Sequence, residues 1–161
     1  MVRGSAKGYA FFYVRVTAGM KTVTFCGHRT MLETEREAVK PKLTGEIEKL
    51  ILQGASEFLL GGYGDFDFLC AETVKALKSV YPHIKSILVV PYINRDFDRE
   101  LYDFSVYPPI ETIPLKYSIL KRNEYMVQSA DIVISYVKYS WGGAAKSRDY
   151  AMRKKKPVIE L

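Results

Sequence analysis

The sequence predicts an α/β fold: one doubly wound, mainly parallel sheet with helices on both faces. Three observations predict it. Strand-like and helix-like segments alternate from residue 20 to the C-terminus, the glycine-rich turns follow strands, and 161 residues fit one domain.

The elements follow in order. Thr22 to Cys26 reads as a buried first strand that ends at Gly27-His28-Arg29. Leu43, Ile47, Leu50 and Ile51 recur at helical spacing and predict a helix of about three turns that stops near Gly54. Glu57 to Leu60 is a short second strand, met at once by Gly61-Gly62-Tyr63-Gly64-Asp65. Phe66, Leu69, Thr73 and Leu77 mark the next helix, which ends before Pro82. Ser86 to Val90 is the clearest strand. Residues 92–115 are rich in Tyr, Phe, Asp and Pro and lack a period, so they are expected to wall or cover a ligand cleft. A helix from about Lys116 to Ser129, a strand from Ile132 to Tyr136, a helix after Gly142-Gly143 to about Lys154, and a strand from Pro157 to Glu160 complete the chain. The pattern is Rossmann-like. Residues 1–19 precede it as an N-terminal extension or cloning remnant, although Tyr9 to Val16 is apolar enough to pair as an edge strand. Residues 20–161 form the domain.

Composition narrows the function classes. An apolar fraction of 48% with 26% charged residues is that of a globular chain, and no apolar run is long enough to span a bilayer. Cys26 and Cys70 both lie in apolar segments, which suits a reducing cytoplasm better than a disulfide framework. With His28 and His83 they make no recognised ligand spacing, so no metal is expected. The net charge is +6, of which Arg3, Lys7 and Arg15 contribute three before any acid is met. Arg153 to Lys156 closes a helix, where cations meet the negative end of its dipole. On that reading a nucleic-acid partner is unlikely.

In doubly wound sheets ligands bind beyond the carboxyl ends of the strands. Four clusters sit there. Gly61, Gly62, Tyr63, Gly64 and Asp65 bring glycines that let backbone N–H groups approach an anion, before a helix whose N-terminus favours phosphate. Asp65 is placed to cap that helix. Gly27, His28 and Arg29 leave the first strand, with a planar donor fork suited to phosphate. Ile119, Arg122, Asn123 and Met126 share one helix face, so Arg122 and Asn123 either pair internally or point into the cleft. Gly142 and Gly143 repeat the strand–glycine–helix arrangement, with Tyr139 or Trp141 available to stack on a base. Asp131 precedes its strand, at the far end of the sheet, and reads as structural.

Taken in order, Cys26-Gly27-His28-Arg29, Gly61 to Asp67, Val90-Pro91-Tyr92, Arg122-Asn123 with Met126, and Gly142-Gly143 resemble the YpsA-like family of the SLOG superfamily. That superfamily joins the DNA-processing Smf/DprA proteins and the LOG phosphoribohydrolases. The resemblance covers residues 20–161 and implies a bacterial, Rossmann-like protein that binds nucleotides or their derivatives, with no separate cofactor. Relatives of this kind often pair through helices near the site, so a homodimer is a further expectation. LOG enzymes cleave the N-glycosidic bond of nucleoside monophosphates through a signature of proline, two glycines, any residue, glycine, threonine and a glutamate three positions on. Here Leu60 replaces the proline, Asp65 the threonine, and Phe68 the glutamate. The arginine motif is better kept, by Ile119, Arg122, Asn123 and Met126.

The leading expectation is therefore a cytoplasmic binding or sensing protein for a nucleotide-like small molecule. The amides of residues 61–65, with Arg29 and Arg122, would hold its phosphate. The alternatives are a nucleotide N-glycosidase, whose catalytic candidates are Asp67 and Arg122 with Asp65 as a second acid, and a DNA-binding protein of Smf/DprA type.

Overall fold

The computed structural model describes residues 9–10, 21–93 and 96–161. Among these, seven strands form one sheet: β1 (Tyr9–Ala10), β2 (Lys21–Gly27), β3 (Ala55–Leu60), β4 (Lys85–Val89), β5 (Phe104–Val106), β6 (Ile132–Tyr136) and β7 (Val158–Glu160). Four helices connect them: α1 (Glu33–Leu52), α2 (Asp65–Lys78), α3 (Ser118–Ser129) and α4 (Gly143–Arg153). The strand order is β1-β5-β4-β3-β2-β6-β7, and every pairing is parallel. The expected Rossmann-like α/β architecture is the one found.

Parallel strands need crossovers, and the crossover helices bury both faces of the sheet. The period-2 alternation of side chains divides the core accordingly. Val23, Phe25, Phe58, Leu60 and Ile134 face α1 and α2, where they meet Leu43, Ile47, Phe66 and Leu69. Leu59, Ile87 and Val89 face the other way with Met126 of α3, and Cys26 and Val133 meet Val127 of α3 and Ala151 of α4. Phe25 and Phe58 stack across β2 and β3 with centroids 6.3 Å apart. Each fully buried Phe or Leu contributes about 1.5–3 kcal/mol of transfer free energy. At the amino end of the sheet Asp131 accepts the Thr22 N–H at 2.8 Å and returns its own N–H to the Thr22 carbonyl. That tie joins β2 to β6, the structural role expected of Asp131.

Two elements depart from expectation, and a third takes up an alternative the sequence left open. α1 runs 20 residues, with Pro41 inside it, rather than about three turns. It starts at Glu33, where the Glu35 carboxylate accepts the Leu32 N–H at 2.9 Å. The 92–115 segment contains β5, which pairs with β4 near one edge of the sheet. Tyr9 and Ala10, in the expected extension, pair with Ser105 and Val106 as an edge strand, and the rest of residues 1–20 lie outside the described residues. Among the described residues no helix is long and apolar enough to cross a membrane.

Candidate functional site

β2 is flanked by β3 on one side and β6 on the other, so the loops after β2 and β6 depart to opposite faces of the sheet. This is the topological switch point, where the loops part and leave a crevice. A cleft of about 390 Å³ opens there, beyond the paired strand ends Gly27 and Tyr136. Its size suits one nucleotide.

His28 ties the two halves together. Its Nε2 accepts the Lys138 N–H at 2.7 Å, and its ring lies against Tyr136 and Tyr139. Desolvation, reinforced by the Lys138 cation, holds the imidazole pKa below its ordinary value. An acceptor nitrogen must be unprotonated, so geometry and titration agree. The Lys138 ammonium pairs with Glu35 of α1. Beyond His28 the rings continue outward: Tyr139 stacks on the exposed Trp141, with centroids 5.2 Å apart and planes 18° from parallel.

The first glycine loop is packed shut. The α2 amides of Asp65 and Phe66 donate to the carbonyls of Arg29 (2.8 Å) and His28 (3.3 Å). Asp65 reaches back to accept the Met31 N–H at 2.8 Å, so it ties the loops together instead of capping its own helix. A Cβ on Gly64, at φ +93°, would lie 2.6 Å from the Arg29 Cα, and one on Gly62, at φ +68°, 2.6 Å from Leu88. Of the amides of residues 61–65 expected to hold phosphate, those of Asp65 and Tyr63 are engaged within the protein, the latter by the Asp67 carboxylate. The second glycine loop is open. Gly142 has φ +92°, but among the described residues no atom beyond the adjoining chain lies within 4 Å of a Cβ built on it or on Gly143. No side chain caps α4 and no acid sits in its first turn.

Arg122 forms the floor. It is fully buried, and its Nη1 donates to the carbonyls of Gly61 and Val89, both at 2.6 Å. Its Nε donates to Asn123 Oδ1 at 2.8 Å, and its guanidinium lies over the Tyr63 ring. Both readings left open for Arg122 and Asn123 are met together: Arg122 is paired internally, and both residues line the cleft. Beside it, half-buried Asp67 accepts the Tyr63 N–H at 2.9 Å. Desolvation raises the Asp67 carboxyl to about 6, against the lowering influence of that N–H, Arg122 and Arg29. Phe68, one residue on, is exposed beneath Arg36 and turned away from the cleft.

The cleft therefore gathers Gly27, His28, Arg29, Gly61, Tyr63, Asp67, Arg122, Asn123, Gly142 and Gly143 from the residues the sequence singled out. Gly62, Gly64 and Asp65 do not line it, because they turn toward Leu88 and Arg29 and hold the loop. Among the described residues none from 92–115 lines it either, since β5 carries that segment toward the sheet edge. Lys138 and Ser147 were missed. Lys138 stands just past the carboxyl end of β6, and that position was its available signal.

No family model matches the chain. A Bacillus subtilis (strain 168) protein described as an uncharacterized SPbeta prophage-derived protein, YoqJ, is 28% identical over 140 residues, covering 71% of this chain and 81% of that protein. Two solved structures of DNA processing protein A share the fold. The Helicobacter pylori protein, studied for its single-stranded DNA binding mode, superposes with a TM-score of 0.60 at 20% identity. The Streptococcus pneumoniae protein superposes with a TM-score of 0.62 at 18%. Each superposition covers 88% of this chain but only 65% and 50% of those longer chains. The likeness is one of fold.

The expectation that nucleic acid is an unlikely partner is corrected by that likeness, because one of these proteins binds single-stranded DNA. The charge was divided between residues 1–19 and the Arg153–Lys156 helix end, which left Lys138, Lys146 and Arg148 out of the cationic run. Residues 138–156 hold seven Lys and Arg against Asp149 alone, which equals the whole net charge of +6 and leaves the rest of the chain neutral. The cations are concentrated from the cleft to the end of α4.

Proposed function

We propose that this chain binds single-stranded nucleic acid, seating one nucleotide in the switch-point cleft. The observation that carries the reading is the exposed Tyr139–Trp141 stack at the cleft mouth, inside the segment that holds all the net positive charge. Stacking on aromatic rings is tolerant of sequence, because every base has a π face, and clustered cations follow the backbone. Arg29 and the open first turn of α4 are the donors for the seated phosphate.

The test uses Trp141, the one tryptophan of the chain, as its own reporter. Short oligothymidylates are expected to quench its fluorescence saturably, with affinity that falls steeply as salt rises. Unchanged fluorescence and unchanged anisotropy of a labelled strand would overturn the reading.

A second reading, binding of a free nucleotide-derived ligand, is favoured by the size of the cleft. It expects mononucleotides to bind as tightly as strands. Asp67 in the cleft supplies the carboxylate that an N-glycosidase needs, and release of free base from nucleoside monophosphates, lost in Asp67→Asn, is its separate assay.

A further inference from the structure

Beside the cleft lies a second depression, about 240 Å³, between α3 and α4. Asn123 and Ser147 line both, so the two are contiguous. We propose that a nucleic-acid strand seated in the cleft continues along this α3–α4 groove, with Lys146 and Arg153 on its phosphates and Tyr150 beneath a base. The inference rests on the reading of the cleft as a single-strand site and adds the path and the contacts.

The helix supplies the spacing. Lys146, Tyr150 and Arg153 recur at i, i+4 and i+7, so they share one face of α4, and all three line the groove. Tyr150 is held by a hydrogen bond between its hydroxyl and the Gln128 amide, and the cations of Arg153 and Lys154 lie 5.7 and 5.6 Å from its ring centre. Glu124 is the acid on the groove wall, and Lys121 pairs with it at 2.8 Å. What remains along α4 is a row of cation, aromatic ring and cation that starts at the cleft. Eleven helical residues span about 16 Å, roughly five stacked nucleotide steps of 3.4 Å.

The experiment compares the full-length chain with Lys146→Ala/Arg153→Ala on oligothymidylates of one to eight nucleotides, reading Trp141 quenching and the anisotropy of labelled strands. For the unmodified chain, affinity climbs with length beyond the first nucleotide. The double variant keeps dinucleotide binding within about twofold, loses about tenfold on the octamer, and lowers the salt slope by about 1.4, or 0.7 for each phosphate contact removed. Tyr150→Leu flattens the climb without changing the salt slope. Both cations are exposed, and matching thermal melts establish that the variant folds. If it retains the length dependence and salt slope of the unmodified chain, the groove is not the path, while the cleft reading stands. If the unmodified chain binds a mononucleotide as tightly as an octamer, the path is overturned in favour of a free-nucleotide site. If no strand quenches Trp141 at all, the reading of the cleft itself falls.

Discussion

The molecule builds the same local turn twice and uses it in opposite ways. Gly64 precedes α2 with φ 93° and ψ 177°, and Gly142 precedes α4 with φ 92° and ψ 177°. Both angles lie in a region open essentially to glycine alone. Before α2 the turn is buried against Arg29, and its helix amides are spent on the carbonyls of the neighbouring loop. Before α4 the same turn meets no described residue beyond the adjoining chain. A glycine-rich strand-to-helix turn is therefore a geometry rather than a binding site, and the surrounding loops decide whether its amides face a ligand or hold the fold.

Removing what holds the first turn is the strongest way to break the contrast. Arg122→Ala strips hydrogen bonds from Gly61 and Val89 and leaves Asp67 without its buried partner, so urea denaturation is expected to show a loss of about 3–5 kcal/mol. Gly64→Ala adds a clash with Arg29 to the backbone strain and is expected to cost about 3 kcal/mol or more. Gly142→Ala, which meets only the strain, is expected to cost about 1–2 kcal/mol. Equal losses at the two glycines would erase the distinction between closed and open turns. On the open side, Trp141→Ala is expected to leave stability unchanged and to weaken strand binding by about 1–3 kcal/mol, read by anisotropy.

The smallest effect is one of slope. The Asp67 carboxyl is raised from an ordinary 3.8 to about 6, so between those values the folded chain holds a proton that the unfolded chain has released. Stability from this group is full below about 3.8 and is lost as pH rises through about 6. His28 acts in the opposite sense: its lowered pKa makes its contribution complete above the ordinary value and lost as pH falls. Because the two act in opposite senses, Asp67→Asn is expected to remove the fall in stability between about 3.8 and about 6 and to leave the His28 contribution, which rises with pH toward its ordinary value. A pH profile that Asp67→Asn does not alter would remove Asp67 from the account.

The sheet was legible because its central strands are buried on both faces and read as continuous apolar runs. α1 was under-read because only five of its residues are buried, and its first turns are polar and contain Pro41. β5 was hidden because three residues among tyrosines and prolines carry no period. In the site, position after a strand pointed to His28, Arg29 and Gly142, which do line the cleft, since the carboxyl ends of parallel strands converge whatever the loops contain. Position could not separate lining residues from supporting ones. Gly64 and Asp65 have the composition of a phosphate loop, and only the three-dimensional neighbourhood of Arg29 and Met31 shows them turned inward. Charge was under-read for a related reason: the Arg153–Lys156 run was taken as a helix end, whereas with Lys138, Lys146 and Arg148 it makes one cationic segment beside the cleft.

The bond between His28 and Lys138 joins residues 110 positions apart, and β2 finds its partner β6 across the same span of chain. Closing so long a loop must precede any reward from the contacts it makes, and such topologies assemble slowly. The switch-point cleft therefore carries the loop-closure cost of the β2–β6 pairing. A growing polypeptide that has not yet added β6 and α4 holds neither the aromatic stack nor the cationic segment, so the proposed ligand site is incomplete until both elements have been synthesised.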